Sequence, residues 1–173
     1  MGIEGGVVFR KPMSEALAIE VIKHFESCRL QEYLVFGRTA IGWGRDVTAG
    51  SYPAGITQAE ADAFLSADVM YFANAVKVAL GHKIEVGSWN AFTSFSYNVG
   101  LGQHKPHVEG FLTSTALVRY LEGEIVACAS ELLKWDHVAG VQVPGLLARR
   151  RCEAGVLEGR SLAWLESSKW FQG

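Results

Sequence analysis

From Ser14 the apolar residues Leu17, Ala18, Val21, Ile22 and Phe25 recur at the spacing of one helical face. Ser14 is a candidate N-cap, and the pattern predicts a helix ending near 26–29. Residues 30–55 change character, with aromatic and β-branched residues broken by Gly37, Gly42, Gly44, Gly50, Pro53 and Gly55. That alternation predicts a small twisted hairpin or a three-stranded sheet. Thr57-Gln-Ala-Glu60 spells a capping box. After it Ala61, Phe64, Leu65, Val69, Phe72, Val76 and Leu80 trace one face of a helix about six turns long, ending at Gly81.

Ser88 is the expected cap of the next helix, which turns Trp89, Phe92 and Phe95 inward and stops at Asn98. A polar loop at 103–110 carries His104 and His107. Short helices are expected at 113–122 and 124–135, then one over 144–158 with Pro144 in its first turn. A last helix over 161–171 would bury Leu162, Leu165 and Trp170. Residues 1–13 are Gly-rich and read as a flexible arm ending at Pro12. The rest, 14–173, reads as a single α+β domain: a β lobe at about 30–56, a connecting helix at 57–81 and a helical lobe at 82–173. A cleft between two lobes is a common place for a site.

Composition narrows the function classes. With 49% apolar and 20% charged residues, 173 residues can bury a substantial core. A net charge of −2 offers no basic field for nucleic acid or an anionic membrane surface. The N-terminal stretch has no long apolar run, so neither a secretion signal nor a membrane span is expected there. Cys28, Cys128 and Cys152 are widely spaced and form no C-x-x-C pair, which predicts buried free thiols and no metal site. His104 and His107, three apart in a loop, have metal ligation as one reading and plain solvation as the simpler one.

Glu26 is the leading candidate for chemistry. It follows the core-facing Phe25 at a helix end, just before the predicted sheet, where a carboxyl can sit partly buried and act as a general acid. A solvated helix-end Glu, or one paired with Arg29, is the plainer alternative.

Six segments, in order, carry a resemblance over roughly residues 15–160. They are Ile22-Lys-His-Phe-Glu-Ser-Cys-Arg-Leu-Gln-Glu-Tyr33, Ala40-Ile-Gly-Trp-Gly44, Ile56-Thr-Gln-Ala-Glu-Ala-Asp62, Phe95-Ser-Tyr-Asn-Val-Gly-Leu-Gly102, Ser114-Thr-Ala-Leu-Val-Arg-Tyr-Leu121 and Pro144-Gly-Leu-Leu-Ala-Arg-Arg-Arg151. Together they resemble the phage-type lysozymes, glycoside hydrolase family 24. The resemblance implies the two-lobe lysozyme fold and an endolysin that cuts the β-1,4 bond between N-acetylmuramic acid and N-acetylglucosamine. It implies peptidoglycan glycan strands as partner, no cofactor, and a monomer. It also implies synthesis in the host cytoplasm and action on the periplasmic wall after holin-type release.

The family signature runs Glu, eight residues, Asp or Cys, five residues, Thr. Glu26 matches the catalytic Glu, the proton donor. Val35 stands where the acid or thiol belongs, and Ala40 stands at the Thr position in a segment one residue short. Arg45 replaces a frequent His. Valine cannot activate water or offset positive charge, so losing a general-base role costs about 10²–10⁴-fold unless another group takes it over. Thr39, Glu32 and Asp46 are the candidate helpers: Thr39 would need a bulge to reach the cleft, and the two acids a reshaped loop. By resemblance Asn98 and Arg149 bind substrate, although Asn98 also suits a helix end and Arg149, Arg150 and Arg151 also suit packing between helices. Trp89 and Trp135 read as core rather than as sugar platforms. Two functions follow: a working muramidase, or a catalytically impaired lysozyme fold retained to bind peptidoglycan or protein.

Overall fold

A computed structural model describes residues 14–35, 37–103 and 109–169. The expected arm at 1–13, both histidines of the 103–110 loop and Trp170 lie outside the described residues. The first helix, α1, spans Ala16–Phe25 and buries Ala18, Val21 and Ile22, as its apolar spacing predicts. Its N-cap position is Glu15; the Ser14 hydroxyl, one residue earlier, accepts from the Ala16 amide at 3.2 Å. Strands β1 (Arg29–Val35), β2 (Arg38–Gly42) and β3 (Arg45–Val47) form one antiparallel sheet in that order. The register aligns Tyr33, Ala40 and Asp46 in one cross-strand row, with an irregularity between Arg29 and Tyr33.

Helix α2, Gln58–Leu80, begins at the capping box read from the sequence: Thr57 accepts from the Glu60 amide and Glu60 from the Thr57 amide. It buries Ala61, Leu65, Val69, Ala73, Val76 and Leu80, one stripe along its length. By length and composition alone this helix could cross a membrane, but here the stripe packs on neighbouring helices and the sheet, as a long core helix does. Helix α3, Val86–Val99, starts two residues before the expected cap. Its N-cap is Glu85, and Ser88 instead occupies the third helical position, with its hydroxyl accepting from the Glu85 amide at 3.1 Å. Asn90 ties α3 to α1, accepting from the Ala18 amide at 2.8 Å and donating to the Ser14 carbonyl at 3.0 Å.

Around α3 gather α4 (Thr115–Glu122), α5 (Ile125–Leu133), α6 (Pro144–Leu157) and α7 (Leu162–Ser167). Phe92, Phe95, Phe111, Leu132 and Leu165 are fully buried there. Trp89 is core, as read, and its indole donates to the Ala73 carbonyl at 2.9 Å. Between α5 and α6 lies a hairpin that the pattern does not predict, β4 (His137–Val138) and β5 (Val141–Gln142). Its turn places Ala139 at φ 49° and Gly140 at φ 79°. Cys128 and Cys152 are buried, and burial pushes both thiols up to about 12. Cys28 departs from the expectation: it sits half-buried at the lobe junction, its thiol against the Gln58 side-chain oxygen at 3.7 Å. The result is an α+β arrangement in which a small sheet and a helical lobe are bridged by one long helix.

Candidate active site

The sheet, α2, α3 and the β4–β5 hairpin enclose a cleft of about 1140 Å³. Glu26, the residue that caps the C-terminus of α1, turns to extended backbone and lines this cleft. Its side chain retains 26% of its exposure. One oxygen, Oε1, accepts from Arg149 Nη1 at 2.5 Å. The other lies beside Gly44, where even a Cβ would come to 3.9 Å. The left-handed turn at Gly44, φ 98°, thus brings bare backbone up to the carboxyl. Arg29 is not the partner; its guanidinium stacks 4.7 Å from the Tyr33 ring.

Arg149, expected by resemblance to bind substrate, is 2% exposed and is not among the residues lining the cleft. Its guanidinium is taken up by Glu26, by Glu153 Oε1 at 3.1 Å and by the Ser94 carbonyl at 3.2 Å. Asn98 does line the cleft, and its side-chain oxygen accepts from Arg150 Nη2 at 2.8 Å. Arg150 is fully buried with its guanidinium 4.9 Å from the Phe95 ring, and desolvation pushes it down to about 10.

The sheet wall carries Val35, Arg38 and Asp46. Val35 pairs with Arg38 in the hairpin register, and Arg38 Nη1 donates to Asp46 Oδ2 at 2.5 Å. Of the three candidate helpers, Asp46 alone lines the cleft. Residues directly opposite share a face of a sheet, so Asp46 stands on the face of Ala40. Thr39 pairs with Leu34 and Val47 on the other face. Glu32 points to the loop, accepting from the amides of Gly50 at 2.7 Å and Tyr52 at 2.6 Å.

Other contacts hold the walls together. Arg45 grips Asp68 of α2 with three hydrogen bonds of 2.6–3.1 Å, pinning β3 to the long helix. Hydrogen bonding to Asp68 raises the Arg45 guanidinium above its usual range. Tyr97 donates to the Trp43 carbonyl at 2.8 Å, and burial first, then Asp68 and Glu26, push its phenol far up. Trp135 lines the cleft while packing edge-on against Phe95 at 5.3 Å, so it is both wall and core. Glu153 and Ser94 escaped the sequence reading, and Asp68 carried no role in it beyond its place along the long helix. The available signal for Glu153 was its spacing, four residues after Arg149 and three after Arg150 on one helix. Among the described residues no cluster of three His, Cys, Asp or Glu groups is placed to hold a metal.

Comparison with known proteins agrees with this geometry. The family model for phage lysozyme matches residues 23–153. The endolysin of Bacillus phage PZA is 32% identical over 139 residues, 78% of this chain and 51% of the relative. The endolysin of Acyrthosiphon pisum secondary endosymbiont phage 1 is 28% identical over 145 residues, covering 80% of this chain and 92% of the relative. Among solved structures, the muramidase domain of SpmX from Asticaccaulis excentricus superposes with a TM-score of 0.70 at 28% identity, over 86% of this chain and 98% of that one. The endolysin from Escherichia coli O157:H7 phage FAHEc1 gives 0.67 at 30% identity, over 86% and 94%. The chain spans about half the length of the Bacillus phage relatives it matches. With the family model covering most of the sequence, the chain belongs to the phage lysozyme family.

Proposed function

We propose that this chain is a muramidase of the endolysin kind, hydrolysing the β-1,4 bond between N-acetylmuramic acid and N-acetylglucosamine in peptidoglycan. The observation that carries this reading is Glu26, partly buried on the cleft floor and oriented by a buried arginine. Glu26 donates its proton to the glycosidic oxygen as the C1–O bond breaks. Asp46 offsets the oxocarbenium-like charge, or takes a proton from the attacking water, in place of the missing acid at Val35. Its cleft position opposite Ala40 supports this role over Thr39 and Glu32. Asn98, whose oxygen is occupied by Arg150, offers its side-chain NH₂ to an acetamido carbonyl. Arg149 orients Glu26 rather than touching sugar. The wall is reached from the host cytoplasm, and a holin-type pore is the proposed route.

Turbidity clearing of outer-membrane-permeabilised Gram-negative cells tests this reading. The protein should clear them, and Glu26→Gln should lose activity by about 10²–10⁴-fold. If the unaltered protein sediments with purified sacculi yet clears nothing, the impaired binding module is the correct reading. Val35 and Ala40 are what favour that second reading.

A further inference from the structure

The geometry points to Glu153 and Arg150 as positioning residues that govern the charge of Glu26, through a buried quartet in which Glu153 shares the charge of Arg149. This deepens the muramidase reading and rests on Glu26 being its general acid. The requirement is physical. A guanidinium paired with a single carboxylate favours the ionised partner, whereas a general acid must hold a proton before it can give it. Some other anion has to draw on the Arg149 charge.

Glu153 is placed to do so. It is fully buried, and its Oε1 accepts from Arg149 Nε at 3.1 Å and from the Ser94 hydroxyl at 2.7 Å. Its Oε2 lies 3.1 Å from Arg150 Nε without a well-formed hydrogen bond, so that contact is Coulombic. Arg150 in turn reaches the cleft through Asn98. Two cations and two anions therefore balance, three of the four side chains being at most 2% exposed. At such burial each charge is felt strongly by the others.

The groups around the quartet are also identified. Tyr33 on β1 and Tyr97 on α3 both feel the Glu26 charge, and burial pushes both phenols up, which keeps them neutral through the working pH range. Asp46 on β3 has Arg38 as its partner, and Asp136, just before β4, acts on Arg150. His24, in the last turn of the helix that Glu26 caps, is pushed down by burial. None of these is altered in the variants below.

The quartet makes a prediction of opposite signs. Glu153→Gln leaves Glu26 as the one anion of the quartet beside its two buried cations, so Glu26 should hold its proton less readily. Arg150→Gln leaves two anions on one cation, so Glu26 should hold it more readily. Carbon-13 NMR titration of glutamate carboxyls, with Glu26 assigned through Glu26→Gln, reads this directly. The midpoint should fall by on the order of one pH unit in Glu153→Gln and rise by a similar amount in Arg150→Gln. The alkaline limb of the pH–activity profile should move the same way, because activity is lost as the acid deprotonates. Unmoved midpoints, or shifts of the same sign, would overturn the inference; a residue that merely supports the fold has no reason to give opposite signs. Should Glu153→Gln fail to fold, the upward shift in Arg150→Gln decides alone. Opposite midpoint shifts in a protein that clears no cells would refute the muramidase reading and leave the quartet standing.

Discussion

On the helical side of the cleft, Arg149, Arg150 and Glu153 are buried, share partners and hold Glu26 and Asn98 in place. On the sheet side, Arg38 and Asp46 pair with each other while each stays more than half exposed. The first arrangement is interdependent, because removing one buried charge strands the rest without water to solvate them. The second is loosely constrained, because water screens both partners and either can be replaced at small cost to folding. The exposed pair on the sheet wall is held loosely; the charged side chains on the helical wall are bound into the fold.

The sharpest way to break this contrast is to open the buried side. Arg149→Met should destabilise the protein by about 3–5 kcal/mol, because it leaves Glu153 buried with one cation fewer. Urea denaturation measures this, and a loss below about 1 kcal/mol would mean that the helical wall is as loosely held as the sheet wall. The next largest effect concerns rate rather than folding. Asp46→Asn should lower clearing activity by about 10²-fold with little change in the unfolding midpoint. Adding Val35→Asp to that variant should restore part of the loss, since it returns a carboxylate to the same wall. If Asp46→Asn clears cells as fast as the unaltered protein, Asp46 is only a surface ion and Glu26 works without it.

Legibility in the sequence follows the same division. Local chemistry was readable: Thr57 and Glu60 announce their capping box, and the stripe from Ala61 to Leu80 fixes the long helix. Glu26 was readable as a candidate because its place at a helix end before a sheet depends on nearby residues. The cap of α3 was missed by three positions, because Glu85 and Ser88 are both competent to bond a first-turn amide. The β4–β5 hairpin was missed because two-residue strands have no period to detect. Glu153 was invisible for a different reason. In Arg149-Arg-Arg-Cys-Glu153 the arginines read as packing between helices or lining the cleft, but only tertiary packing shows that Glu153 faces inward with Arg149 and Arg150. Likewise, the choice among Thr39, Glu32 and Asp46 turned on strand register and loop bonds, which a single sequence does not specify.

The smallest expected effect tests the sheet wall itself. Arg38 and Asp46 meet at 2.5 Å, but their side chains are 62% and 53% exposed, so solvent competes for both ions and holding them together costs rotamer freedom. Arg38→Gln should therefore change stability by less than about 1 kcal/mol, and the difference should shrink further in 1 M salt, where the screening length falls to about 3 Å. Urea midpoints of the two proteins at low and high salt measure it. A loss of several kcal/mol that persists in salt would show that this pair is held as tightly as the buried quartet. In that case the contrast between a loosely held sheet wall and an interdependent helical wall would not stand.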